Sequence, residues 1–303
     1  MAYIIHNFIT STIFVCITIQ ESKAYYAQRV DELKGEIVLG QKQLQESYEK
    51  NELRSSIFAD LSHELKTPIN VIYSNIQLFE KCMSEDSTGI AESDKYLKSM
   101  QKNCYRLIKL VNNIIDMNKI ESGYMKLEVK NYNIIPFIED MVMSINAFAM
   151  QKQINVIFDT EIEELIIACD MDKVEKIVFN LLSNAIKYTP EGGEVLVYIS
   201  YDTNDICIMV QDTGEGIPEE LHEAIFGRFI QNKGELHQKY NSSGIGLALV
   251  KSLAELQQGR IWIDKEYKKG CKMIFSLPRI VLDHMEPILY NNMGYSEYNI
   301  EFI

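Results

Sequence analysis

The feature that most constrains this chain is a long stretch, Glu21 to Gly123, with few helix breakers and a recurring apolar seam. Ile37, Leu44, Asn51, Phe58, Leu65, Ile72 and Phe79 stand seven residues apart. A heptad repeat keeps one seam of a helix against a partner, and a polar member such as Asn51 can fix the register. The run Ser84-Glu85-Asp86-Ser87-Thr88-Gly89 ends this first helix. In a second helix Leu97, Met100, Cys104, Leu107, Val111 and Ile114 recur at helical steps, up to Glu121-Ser122-Gly123, where glycine can cap the end. Two helices joined by a short turn form an antiparallel hairpin. Two alone bury no core, so a dimeric four-helix bundle is the expected completion.

After Lys126 the pattern becomes mixed. Met125 to Val129 alternates like a strand, Pro136 to Gln151 reads as helix, and Ile154 to Phe158 and Leu165 to Ala168 read as strands. Asp172 to Lys187 is an amphipathic helix, and Glu194 to Tyr201 with Ile206 to Gln211 forms a hairpin around Asp202-Thr203-Asn204. A polar stretch from Arg228 to Ser243 leads into a helix from Gly244 to Gln258, and strands Arg260 to Asp264 and Cys271 to Leu277 close the domain. This order predicts an α/β sandwich, with helices on one face of a mainly antiparallel sheet.

Composition narrows the function. Acidic residues outnumber basic ones 43 to 30, a net charge of −13 with no basic stripe, which argues against a nucleic-acid partner. The six cysteines are widely spaced, lack a C-x-x-C and mostly sit in apolar runs, so they are expected as reduced, buried thiols. Residues 2–20 carry no Asp, Glu, Lys or Arg. That run is about as long as the shortest membrane spans, so residues 1–20 are a possible membrane anchor that leaves the remainder on the cytoplasmic face.

The first chemical motif is Phe58-Ala59-Asp60-Leu61-Ser62-His63-Glu64-Leu65-Lys66-Thr67-Pro68. With Phe58 and Leu65 at the inward position a, Leu61 takes d and His63 takes f, the most solvent-facing position. A structural histidine would normally point inward. An exposed imidazole is largely neutral near pH 7 and available as a nucleophile, and the adjacent Glu64 can hold its other ring N–H. Pro68 is placed to disturb the helix just beyond.

Three further motifs lie in the α/β part. Asn180 and Asn184, at i and i+4, share a helix face and can offer carbonyl oxygens to a hydrated Mg2+ and its phosphates, with Lys187 adding a point charge. Asp212-Thr213-Gly214-Glu215-Gly216-Ile217-Pro218 ends a strand, where glycines admit a flat base and Asp212 can accept from an exocyclic amine. Ser242-Ser243-Gly244-Ile245-Gly246-Leu247 opens a helix whose N–H groups suit phosphate. Each is weak alone. In this order and spacing they resemble the H, N, G1 and G2 boxes of bacterial two-component sensor histidine kinases, and Phe226-Gly227-Arg228-Phe229 looks like that family's F box.

The resemblance implies two domains: an all-α dimerisation hairpin bearing the phosphoacceptor, at 51–123, and a Bergerat-type (GHKL) ATP-binding domain, at 126–280. Residues 21–50 become a coiled-coil signalling linker and 281–303 a tail. It further implies that ATP phosphorylates His63, that Glu64 is the acid/base partner, and that Thr67 orients water in a phosphatase reaction. Asn180 and Asn184 are implied to hold Mg2+ and Asp212 to read adenine. Lys187, Tyr188, Gly214, Gly216, Ile217, Phe226, Arg228, Phe229, Gly244, Ile245, Gly246 and Leu247 are implied to line the nucleotide site or its lid. The implied partners are a second copy of the chain and the receiver domain of a cognate response regulator. The stretch before the hairpin is too short for the family's usual sensor domain, and the tail is too short for a receiver domain. The rival readings are a non-kinase ATPase of the same nucleotide-binding class, which leaves an exposed His63 unexplained, and a silent dimeric scaffold, which has no use for intact nucleotide motifs.

Overall fold

A computed structural model describes residues 2–84, 90–228, 244–283 and 285–288, with only the backbone described over much of 2–60 and 83–92. The chain divides into two compact units, 1–60 and 61–303. The first unit belongs to a single helix, α1 (Ala2–Ser84), which begins well before the Glu21 start expected from the sequence. Its described apolar side chains, Ile19, Leu33, Val38, Leu39, Leu44 and Tyr48, are all exposed. The side chains of Ile37, Asn51 and Phe58 lie outside the described set. Most of those of residues 1–20, the candidate span, do as well. Among the described residues no helix is long and apolar enough to cross a membrane.

In the second unit, the rest of α1 pairs with α2 (Ile90–Glu121). The antiparallel register is set by Asn75, whose Nδ2 donates to Ser99 Oγ at 2.8 Å. Pro68 lies within α1, which continues past it to Ser84, and Thr67 Oγ1 donates to the His63 carbonyl at 3.2 Å. The second helix has two apolar faces. Leu110 and Met117 are buried, with Ile114 and Ile120 packed beside them on the body of the unit. Leu97, Cys104 and Val111, a heptad seam, stay exposed, as do Ile69 and Ile76 of α1. Exposure of Cys104 departs from the expectation of buried thiols, which holds for Cys169 and Cys271.

The body is an α/β sandwich. Strands β2 (Asn155–Thr160), β4 (Glu194–Tyr201), β5 (Asp205–Asp212), β6 (Arg260–Ile263) and β7 (Lys272–Pro278) form a five-stranded sheet in the order β2-β4-β5-β7-β6. Every pairing is antiparallel except β2 with β4. Alternation does the work: Val195, Val197 and Ile199 of β4, Ile206, Ile208 and Val210 of β5, and Met273, Phe275 and Leu277 of β7 are buried. α3 (Ile134–Gln151), α4 (Met171–Tyr188) and α5 (Gly246–Leu256) supply the other side of the core, for example Ile138, Ile177 and Leu253.

A second, two-stranded sheet pairs β1 (Lys130–Asn133) with β3 (Ile166–Cys169). The strand expected at 125–129 lies further along, at Lys130–Asn133, because the Glu128 N–H is taken by Asp170 Oδ2 at 2.9 Å instead of by a strand partner. Asp170 also caps α4, its side chain accepting from Lys173 N–H. The buried Asn131 fastens the segment after β7. Its Nδ2 donates to the Leu282 and Met285 carbonyls at 2.9 and 2.8 Å, and its Oδ1 accepts from Leu282 N–H at 2.8 Å.

Candidate functional site

His63 is solvent-exposed on α1, in the orientation that the heptad phase requires. Glu64 beside it is only 21% exposed and pairs with Arg106 of α2, Nη2 to Oε2 at 3.8 Å. That is an ion pair beyond direct hydrogen-bond range. Thr67 is half-buried, with its hydroxyl donating to the His63 carbonyl.

The nucleotide motifs converge at one end of the sandwich. Asn180 and Asn184 lie on the same half-buried face of α4, and Asn184 Nδ2 donates to Asn180 Oδ1 at 3.2 Å. This bond uses the amide N–H of Asn184 and not its carbonyl oxygen. Gly246, in the first turn of α5, abuts Asn180: a Cβ there would lie 2.8 Å from its Nδ2. The N-terminus of α5 and the asparagine pair therefore share one corner, where N–H donors and amide oxygens suit phosphates and a hydrated cation. Gly244 has a φ of +64°, the left-handed region open to glycine. Ile245 is buried and Leu247 half-buried.

Asp212 ends β5 and is buried. Burial raises its pKa, opposed by the N–H groups of Gly214 and Cys271, which donate to Oδ1 at 2.8 and 3.2 Å. Both bonds fall on one oxygen, so Oδ2 can accept from a base. The loop is cut to fit its surroundings: a Cβ on Gly214 would sit 2.4 Å from the Tyr188 carbonyl, and one on Gly270 2.0 Å from the Asp212 carbonyl. Gly216 has a φ of +71°. Ile217 follows, its carbonyl accepting from His222 Nε2 at 2.9 Å.

Lys187 closes α4 with its ammonium 5.1 Å from the Tyr188 ring. Desolvation, then the neighbouring Arg106, Lys109 and Lys152, pull its pKa down to about 8 against a smaller opposing pull from Glu64. Phe226 is buried, and Arg228 is ion-paired with Glu121 of α2. Phe229, Ser242 and Ser243 lie outside the described residues. Sequence reasoning missed Arg106, Gly270 and Tyr267, whose hydroxyl donates to the Asp212 carbonyl at 3.0 Å. A local signal existed only for Gly270, in the Lys268-Lys269-Gly270 turn before β7.

A two-helix hairpin that presents an exposed histidine, followed by a GHKL-type sandwich with this corner, defines the architecture of a protein-histidine kinase. Comparisons agree along the chain. Residues 53–123 match the His Kinase A (phospho-acceptor) domain, and residues 169–280 match the histidine kinase-, DNA gyrase B- and HSP90-like ATPase family. Hybrid signal transduction histidine kinase D of Dictyostelium discoideum is 32% identical over 95% of this chain and 19% of its own length. Sensor histidine kinase WalK of Bacillus subtilis is 31% identical over 74% of this chain and 36% of its own. The crystal structure of full-length ShkA in complex with AMPPNP superposes with a TM-score of 0.55 at 25% identity, covering 73% of this chain and 45% of that one. The chain thus spans a minor part of the curated relatives it matches, and it belongs to the sensor histidine kinase family.

Proposed function

We propose that this chain transfers the γ-phosphoryl group of ATP to His63 and passes it on to an aspartate of a response regulator's receiver domain. The observation that carries the reading is the presence, in the same chain, of a solvent-facing His63 and of a corner where the asparagine pair, Asp212 and the N-terminus of α5 come together among the described residues. Asp212 Oδ2 accepts from the adenine amine, while Gly214 and Gly216 leave room for the ring. The N-terminal turn of α5 and Lys187 meet the phosphates, with Tyr188, Ile217, Phe226, Arg228 and Phe229 lining the site or its lid. Asn180 and Asn184 hold Mg2+, which neutralises phosphate charge when bound. Glu64 takes the proton that leaves the imidazole as the N–P bond forms. Thr67 serves a phosphatase reaction.

The functional form is a homodimer. Support comes from the exposed seams Leu97, Cys104, Val111 and Ile69, Ile76, which a second hairpin would cover, and from the exposed apolar residues of the 1–60 helix. The domain limits 51–123 and 126–280, with a linker at 21–50 and a tail at 281–303, belong to the same proposal. Attachment to the cytoplasmic face of a membrane through residues 1–20 rests on the uncharged run alone. Recovery of the full chain in a salt-washed membrane fraction supports attachment, and recovery in the soluble fraction removes it from the reading.

Phosphotransfer is tested by mixing the phosphorylated chain with purified receiver domains. Label should move to an aspartate within seconds on one or a few of them, and not on receivers whose acceptor aspartate is changed to asparagine. Transfer that persists to the asparagine variants contradicts the proposal.

A further inference from the structure

Two contacts between the helices of the hairpin tie α2 to the segment of α1 that carries His63. Asn75 meets Ser99 near the turn end of the hairpin, and Glu64 meets Arg106 about three turns further along α1 but only about two along α2. Arg106 therefore reaches Glu64 from about one turn nearer the hairpin's turn, through its long side chain. The Arg106 side chain is two-thirds covered and that of Glu64 four-fifths covered, so the pair is better shielded than one between fully exposed side chains. Lys109 follows on the next turn of α2. From the sandwich, Lys187 feels Arg106, Lys109, Lys152 and Glu64 together. Glu64 opposes these cations at Lys187. In a chain of net charge −13 these cations gather around Glu64, the residue that follows His63 in the chain.

Resting on the reading that His63 is phosphorylated with Glu64 as its acid/base partner, we infer that Arg106 is a positioning residue for Glu64. It holds the carboxylate on the α2 side of the hairpin, level with the imidazole and within the field of Lys187. In the transfer step the imidazole nitrogen forms the N–P bond, the bond from phosphorus to the leaving ADP oxygen breaks, and the imidazole proton passes to Glu64. A carboxylate without its counter-ion is free to swing to solvent, and the step loses its proton acceptor. At 3.8 Å the pair is held by charge and not by a hydrogen-bonded fork, so a lysine should substitute for the arginine.

Initial rates of autophosphorylation across ATP concentrations test this in the full chain, for the wild type, Arg106→Gln, Arg106→Lys, Glu64→Gln and the Glu64→Gln/Arg106→Gln double variant. A pair of this shielding contributes about 1.4 kcal/mol, a tenfold effect. Arg106→Gln should lower kcat about tenfold and leave KM for ATP within about twofold, while Arg106→Lys stays within about threefold of wild type. In the Glu64→Gln background Arg106→Gln should cost nothing further, because its effect runs through the carboxylate. Wild-type kcat in Arg106→Gln overturns the inference. So does an equal tenfold loss in the Glu64→Gln background, or a rise in KM at constant kcat, which marks Arg106 as a nucleotide ligand. If Arg106→Gln fails to fold, Arg106→Lys decides: a rate below a tenth of wild type overturns the inference. Absence of label on wild-type His63 defeats the functional reading itself, a separate outcome.

Discussion

Replacing Lys187 with glutamine should make the nucleotide-free protein more stable while weakening its hold on ATP. Desolvation and the nearby Arg106, Lys109 and Lys152 lower the Lys187 pKa from 10.5 to about 8. At about 1.4 kcal/mol per unit, the charged ammonium carries a penalty of at most about 3.5 kcal/mol in the folded state. Partial exposure and the lost contact with the Tyr188 ring reduce the expected net gain to about 1 kcal/mol. The sign follows from the depressed value: between about 8 and 10.5 the unfolded chain binds more protons than the folded one. The penalty is therefore fully present below about pH 8 and disappears as pH rises towards 10.5. Urea denaturation followed by the fluorescence of Trp262, the single tryptophan and a residue of β6, reports on the sandwich. Lys187→Gln should be more stable than wild type at pH 7, with the difference shrinking as pH rises from about 8 towards 10.5. A variant less stable than wild type at pH 7, or a difference independent of pH, refutes the reasoning. Bound phosphate repays the cation's penalty, so the same variant should bind ATP at least tenfold more weakly at pH 7.

The remaining expectations concern single groups. Asp212→Asn keeps an acceptor for the Gly214 and Cys271 N–H groups but turns Oδ2 into a donor, so calorimetry should show ATP affinity down about 10- to 100-fold with an unchanged melting temperature. Asn131→Ala removes three hydrogen bonds to the segment after β7 and should lower stability by about 2–4 kcal/mol, with faster amide exchange at Leu282. Gly270→Ala sets a methyl 2.0 Å from the Asp212 carbonyl and should destabilise the sandwich by more than about 2 kcal/mol in a thermal melt.

What was legible in the sequence was local. The heptad phase placed His63 on the solvent side of α1 because a helix's periodicity is written in consecutive residues, and the Asn180 and Asn184 pairing needed only one helix face. The strands of the sandwich were readable to within a few residues from alternation. Contacts between distant segments were not. Asn131 finds its partners at Leu282 and Met285, beyond the whole α/β domain, and nothing near it in the chain announces them. Arg106 is one cation on a polar helix until the hairpin register sets it beside Glu64. The misplaced first strand has the same cause, since its Glu128 N–H is captured by Asp170. Cys104 misled because its seam faces outward in a single chain.

The central claim is tested most directly by incubating the full chain with γ-labelled ATP and Mg2+ and mapping the label. The account predicts label that is lost in acid, survives alkali, localises to His63 by mass spectrometry and is absent from His63→Gln. Label persisting in His63→Gln, or ATP hydrolysed with no label on the protein, would contradict it.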